Sequence, residues 1–230
     1  MATAVPTDAR ILVVRTDHLG DVLLTLPAAA AFVVLAQPIM TVLFQRGAFG
    51  ATDAEATAAA LAAYAIGLPA FVLVKVLAPG FFAHHDTATP VKIAIAAMAT
   101  NLILTLVLMQ FWAHVGIALA LSAAGWLQAI TLFVLLERRG HFRLDRRSRS
   151  KLPRIAAAAL VMGAAVLGLR LLLAPALAGP LILRLGALSA LVAAGFIVFG
   201  ALALGLGVTG WRELRGQLMR SRSRSPGQPA

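Results

Sequence analysis

The chain has 230 residues, of which 60% are hydrophobic and 13% are charged, and its mean hydropathy is +0.89. This composition lies far outside that of soluble globular domains and predicts a polytopic membrane protein. The formal net charge is +11, but the basic residues fall in a few blocks between apolar segments, which is a topology signal and not a sign of a nucleic-acid partner. The absence of cysteine excludes disulfides and thiolate metal sites.

Residues 1–22 form a leader that differs from the rest of the chain. ILVV at 11–14 is typical of a short buried strand, TDHLGD at 16–21 of a polar turn, and VLLTLP of the start of a helix. ARILVVRTDHLGDVLLTLP resembles the amino-terminal motif of the ADP-heptose lipopolysaccharide heptosyltransferases, and this resemblance implies a catalytic base at Asp21, next to Gly20. The chain has no room for the second α/β domain of a sugar-nucleotide site, so the motif is interpreted as vestigial.

Six apolar segments follow, each long enough to cross the roughly 30 Å hydrocarbon core of a bilayer. They lie at about 23–44, 57–83, 91–112, 115–136, 154–174 and 183–208. The sequence therefore predicts an all-α membrane helix bundle over residues 23–210, with a basic disordered tail at 211–230. TDAE at 52–55 matches a capping box and predicts the start of the second helix.

The basic residues predict how the bundle is oriented. They concentrate in the loop 137–154, in the tail after Gly210, and at Lys92 after the second segment. Two spans separate each of these regions from the next, so all three belong on one side, which the positive-inside rule makes cytoplasmic. Both termini are then cytoplasmic.

Three polar residues inside the spans are the candidate site. Lys75 lies in the second segment, where an ionisable side chain is costly, and it either snorkels to the headgroups or faces a cavity that attracts a phosphate-bearing substrate. Asn101 and Thr105 lie one turn apart on the third segment, and they either hydrogen-bond to a neighbouring helix or help to coordinate a monovalent cation. Gln128 on the fourth segment is a similar case.

Two further motifs are interpreted as carrying no chemistry. GLGVTG at 205–210 matches a dinucleotide fingerprint in letters, but a membrane span precedes it and a basic tail follows it. His84, His85 and Asp86 are adjacent side chains that do not converge on one ion, so they predict a solvated turn and no metal site.

From about residue 23 to 215 the chain resembles the carboxy-terminal part of the lipid II flippase family, MurJ or MviN. The resemblance rests on LPAAAAFVVLAQPIMTVLFQRGAF, on AAYAIGLPAFVLVKVLAPGFFAHHDTATPVKIAI and on VGIALALSAAGWLQA. It implies a MATE/MOP-like inner-membrane fold with two six-helix lobes and a final helix pair. It also implies lipid II as the substrate, with membrane lipids around the protein, and a substrate-binding role for Lys75. The sole cofactor that it implies is a coupling cation such as sodium, at Asn101 and Thr105.

The resemblance leaves out about the first eight helices of that family, which include the whole first lobe. Because alternating access requires two lobes, the expected function is that of a flippase fragment, inactive alone unless a separate chain supplies the first lobe. Two alternatives stay open: a membrane-associated, heptosyltransferase-like glycosyltransferase that uses Asp21, and a membrane scaffold that transports nothing.

Overall fold

A computed structural model describes residues 16–139 and 146–205, and the side chains of 25–139 and 153–205. Helices account for nearly all of these residues, and no strand occurs within the described ranges. The helices are α1 (Thr16–Phe44), α2 (Ala51–Phe82), α3 (Ala88–Arg138), α4 (Arg146–Leu172), α5 (Ala174–Leu177) and α6 (Leu181–Gly205). The all-α prediction is confirmed, whereas the predicted strand at 11–14 and the tail at 211–230 lie outside the described residues.

Five of the described helices are long and apolar enough to cross a membrane. Helices suit this role because each backbone N–H and C=O within a bilayer has to be bonded inside the segment. Six spans were predicted, and the difference arises in α3, whose 51 residues contain two of them.

Near its middle, α3 breaks into two arms. Trp112 (φ −127°, ψ 15°) and Ala113 (φ 46°, ψ −125°) leave the helical region. They separate a first arm, residues 88–111, from a second arm, residues 114–138. These arms correspond to the predicted spans on either side of His114.

Contacts between the arms show that the chain reverses direction at this break. A Cβ added to Gly116 would lie 2.5 Å from the carbonyl carbon of Leu108, although eight residues of straight helix would span about 12 Å. At the far ends of the arms, Arg139 is bonded to Asp86. The pair Leu108 and Gly116 and the pair Asp86 and Arg139 are both centred on residues 112–113. The arms therefore run antiparallel, and their far ends lie next to each other.

The described residues divide into two compact units, 16–25 with 59–139 and 26–58 with 146–205. In the first unit, the later part of α2 packs along the second arm of α3. The two run parallel, because Ala63 and Ile66 accept hydrogen bonds from Ser122 and Trp126 in the same order. The buried core of this unit consists of Leu77, Phe81, Ile93, Leu132 and Leu136.

In the second unit, α4 contacts both α1 and α6. The side chains of Leu35 from α1, Met162 and Val166 from α4, and Leu191 from α6 form its buried cluster. Gly163 faces α1, and a Cβ there would lie 3.8 Å from Ala30, which is ordinary van der Waals contact. Small residues at helix contacts are typical of membrane bundles, where packing replaces the hydrophobic effect.

Two local predictions are wrong. The segment TDHLGD, predicted as a turn, belongs to α1, which begins at Thr16. This segment contains no proline, and an aspartate in the first turn of a helix is favourable. In addition, α2 begins at Ala51, before the predicted capping box. Gly50 N donates to Asp53 Oδ2 at 2.9 Å, so Asp53 and not Glu55 binds the backbone in front of the helix.

Candidate functional site

Lys75 is an exposed residue in the later part of α2. It lies seven residues before Phe82, which ends the helix, so it is about 10 Å of helix rise from that end. Among the described residues it makes no hydrogen bond or ion pair. The buried positions Leu77 and Phe81 face the second arm of α3, whereas Lys75 projects away from that core. Its ammonium group is therefore available to a ligand or to another helix.

Asn101 is placed differently, on the first arm of α3. Its Oδ1 atom is buried and accepts no hydrogen bond within the described part of the chain. An unpaired carbonyl oxygen in an apolar interior is unfavourable, so this atom is a natural ligand for a donor or a cation. Thr105 follows one turn later and is partly buried. No described contact joins either residue to Lys75.

Two hydrogen bonds from the second arm of α3 reach carbonyls of α2 near Pro69. Ser122 Oγ donates to Ala63 O at 2.6 Å, and Trp126 Nε1 donates to Ile66 O at 3.0 Å. Pro69 lies inside α2 and has no amide hydrogen, so it removes the helical donor of the Ala65 carbonyl and not that of Ala63 or Ile66. The two bonds therefore join the second arm of α3 to the stretch of α2 that precedes Lys75.

A polar cluster of Asp86, Thr89 and Arg139 lies at the end of the first unit where the basic loop begins. Arg139 Nη1 pairs with Asp86 Oδ2, and Arg139 Nη2 donates to Thr89 Oγ1 at 3.2 Å. Thr89 donates to Asp86 through both N and Oγ1, at 3.0 and 2.6 Å. The guanidinium also lies 5.7 Å from the centre of the Phe81 ring, within cation–π range.

This cluster sets the charge state of Asp86. The hydrogen bond from the Thr89 hydroxyl and that from Arg139 hold the pKa of the Asp86 carboxyl well below its usual value. Asp86 thus stays ionised while it caps the first arm of α3 and binds the end of the second arm. The sequence predicted a solvated turn at this position, and it offered no signal for a partner 53 residues away.

A shallow groove of about 240 Å³ runs between the two arms of α3 near the Asp86 end. Its lining residues are Lys92, Ile93, Ala96, Ala97, Leu127, Gln128 and Thr131. None of the three predicted site residues borders it. The Thr131 hydroxyl donates its hydrogen to the carbonyl of Leu127. Lys92 and Gln128 therefore provide the groove's available polar groups.

Gly20 and Asp21, the residues of the glycosyltransferase-like motif, lie within α1. A family model described as "Lipid II flippase MurJ" matches residues 20–185, which is most of the chain and includes this pair. The chain belongs to the MurJ family of lipid II flippases. That match favours the flippase interpretation over the glycosyltransferase alternative.

Individual MurJ proteins agree with this assignment. A probable lipid II flippase MurJ from Rhizobium meliloti (strain 1021) is 41% identical over 204 residues, which cover 88% of this chain and 38% of the relative. The corresponding protein of Rhizobium tropici is 37% identical over 201 residues, or 86% of this chain and 38% of the relative. The chain thus spans about two fifths of the length of the MurJ relatives it matches.

The fold agrees as well. A solved structure of lipid II flippase MurJ in an inward closed conformation superposes with a TM-score of 0.63, at 21% identity. The superposition covers 79% of this chain and 36% of that MurJ chain. The helix arrangement is therefore that of part of a MurJ protein, as the sequence predicted.

Proposed function

We propose that this chain supplies the carboxy-terminal helices of a lipid II flippase, which moves an undecaprenyl-diphosphate-linked peptidoglycan precursor across the bacterial inner membrane. The observation that carries the proposal is the MurJ match over residues 20–185. Because the chain spans 38% of the length of such relatives, we further propose that transport requires these helices together with the first lobe of the family fold. Transport in this scheme is a change of conformation without covalent chemistry.

Lys75 is the residue that we assign to the substrate. Its exposed ammonium group in a spanning helix has no described partner, and an unpaired cation within a membrane is costly unless it faces water, a ligand or an acidic group. A lipid-linked diphosphate provides the complementary negative charge. In the assembled flippase, Lys75 would therefore attract the diphosphate to the cavity side of α2.

Complementation tests the transport function. Cells depleted of their own lipid II flippase would express this chain alone, the first lobe of a related MurJ alone, or both together. We expect survival and outward exposure of lipid II when both are present. A chain that inserts normally and yet fails to rescue in every combination would contradict the proposal.

The role of Lys75 is tested in the same assay. Lys75→Ala should abolish rescue, whereas Lys92→Ala, which removes the same charge near the end of a helix, should retain it. Equal rescue by both variants would remove Lys75 from the substrate site, and quantitative immunoblotting of the membrane fraction checks that both are inserted.

We also propose that Asn101 and Thr105 contribute to binding a coupling cation such as sodium. The support is the buried Asn101 Oδ1, which has no donor among the described residues, and the hydroxyl one turn later. Two oxygens do not complete a cation shell, so backbone carbonyls or other helices would supply the rest. Sodium should raise the thermal unfolding temperature of the assembled protein relative to choline, and Asn101→Leu should abolish this difference.

A further inference from the structure

Helix α1 contains a backbone acceptor that the helix itself leaves unpaired. Pro38 lies inside α1 and has no amide hydrogen, so the carbonyl four residues earlier, that of Val34, loses its helical donor. Within a membrane, water does not replace that donor, and an unpaired carbonyl is unfavourable. A donor from elsewhere in the chain therefore stabilises α1 at Val34 O.

Arg170 provides this donor from the last turn of α4. Its Nη1 donates to Val34 O at 3.1 Å, and its Nη2 donates to Gln37 Oε1 at 2.7 Å. The two acceptors lie about one helical turn apart, and the planar guanidinium fork reaches both at once. One side chain therefore satisfies the carbonyl released by Pro38 and also binds the residue next to that proline.

The direction of the Arg170 side chain is informative. An arginine near the end of a spanning helix ordinarily extends its charge toward the headgroups. Gln37, however, lies seven residues before the end of α1, about 10 Å of helix rise inward. The guanidinium thus binds at a depth where it is held by specific acceptors, and the partly buried state of Arg170 agrees with this.

A proline in the interior of a helix bends it, because its ring meets the carbonyl of the preceding turn. We propose that Arg170 is a positioning residue that sets this bend of α1 at Pro38 and couples it to α4 and, through the Leu35, Val166 and Leu191 cluster, to α6. Without the guanidinium, Val34 O has no partner and the bend is free to vary. The importance of this coupling for transport rests on the proposed function. The geometric part is testable without transport.

A double-mutant cycle tests the geometry. Pro38→Ala restores an amide hydrogen that bonds Val34 O within the helix, so it should make Arg170 dispensable at that carbonyl. Spin labels on Ala28→Cys and Leu43→Cys, two exposed positions on either side of Pro38 in a chain without native cysteine, report the bend as a distance distribution. Arg170→Met should broaden this distribution when Pro38 is present and leave it unchanged when it is combined with Pro38→Ala.

Thermal unfolding of the full chain in detergent provides the second readout. The loss of unfolding temperature caused by Arg170→Met should be at least halved by Pro38→Ala. Arg184→Met is the matched control, because Arg184 donates to Gly179 O and not to α1, and its effect should be the same with and without Pro38→Ala. If Arg170→Met does not fold, Arg170→Lys serves in the same cycle with a smaller expected effect.

Additive effects of the Arg170 and Pro38 substitutions, with equal broadening in both backgrounds, would overturn the inference.

The complementation assay separates the geometric part of the proposal from its importance for transport. Loss of rescue by Arg170→Met, restored by Pro38→Ala, supports a role of the bend in transport, whereas full rescue by Arg170→Met contradicts that role. Failure of the unsubstituted chain to rescue counts against the proposed function and leaves the distance measurements as the test of the bend.

Discussion

Arg139 and Asp86 illustrate how single side chains fix the ends of the helices. The carboxylate receives three donors from Thr89 and Arg139, and it connects the turn after α2 with the end of α3. Because the folded-state pKa of Asp86 lies below its unfolded value, the cluster stabilises the fold above about pH 4. That contribution is lost as the pH falls further toward the folded-state pKa.

Asp86→Asn should therefore lower the thermal unfolding temperature at pH 7, and the difference from the unsubstituted chain should shrink as the pH falls below about 4. Circular dichroism melts in an acid-stable detergent measure this. Glu137→Gln, which removes a negative charge from an exposed site at the same end of α3, should have a smaller effect at pH 7. A difference between Asp86→Asn and the unsubstituted chain that stays constant down to about pH 2 would contradict the assignment.

At Gly67, α2 and α3 approach so closely that there is little space for a side chain. A Cβ there would lie 2.6 Å from Ser122 Oγ and 3.0 Å from Ser122 Cα, which is part of the backbone. Gly67→Ala should destabilise the fold by about 1–3 kcal/mol through overpacking, and it should disturb the bond from Ser122 to Ala63 O. Unfolding in detergent measures this change.

Gly168→Ala is the matched control, because no atom lies within 4 Å of a Cβ at that position of α4. It should be neutral or stabilise the helix by up to about 1 kcal/mol. Equal effects of the two substitutions would show that helix propensity and not the contact with Ser122 is responsible.

At the scale of elements, the reversal within α3 depends on two small residues. Ala113 has φ 46° and ψ −125°, a conformation that favours glycine, and Gly116 faces the backbone of Leu108 and Met109. The reversal therefore has a strained residue and a position without space for a side chain. The break separates two membrane-crossing arms, so its loss would alter the topology of the whole unit.

Ala113→Gly should stabilise the protein by about 1 kcal/mol, since the left-handed conformation costs an alanine more than a glycine. Gly116→Ala should do the opposite by a larger amount, because the added Cβ would meet backbone atoms that cannot rotate away. Chemical unfolding in mixed micelles gives both values. A destabilising Ala113→Gly substitution would show that the strain in this turn is not relieved by glycine.

At the scale of the whole molecule, we expect the Asp86 end of the first unit to face the cytoplasm. The basic residues Lys92, Arg138 and Arg139 lie at that end, and the positive-inside rule assigns such an end to the cytoplasmic side. His114 follows the reversal at the opposite end of the arms.

Single cysteines test this orientation in intact cells, since the chain has none of its own. His114→Cys should react with a membrane-impermeant maleimide from outside, whereas Ala83→Cys should react only after permeabilisation. The reverse labelling pattern would invert the orientation and place the basic loop outside.

Hydropathy and charge by themselves determined that the chain is a helical membrane protein and where its spans lie. The spans could be located because a bilayer imposes length and composition on each span independently of its neighbours. The motif around Lys75 also identified the MurJ family. The same information placed the basic end of α3 opposite His114. These features are local, and a single sequence contains them.

Only the tertiary structure decided how polar side chains are satisfied. Arg170 and Gln37 are polar residues within apolar runs of the sequence, but their bond depends on α1 and α4 lying parallel and in register across 133 residues of chain. Likewise, the pairing of Asp86 with Arg139 follows from the reversal at Ala113, a residue whose identity does not predict a turn. Contacts between distant residues depend on packing geometry, which hydropathy and helical periodicity do not encode.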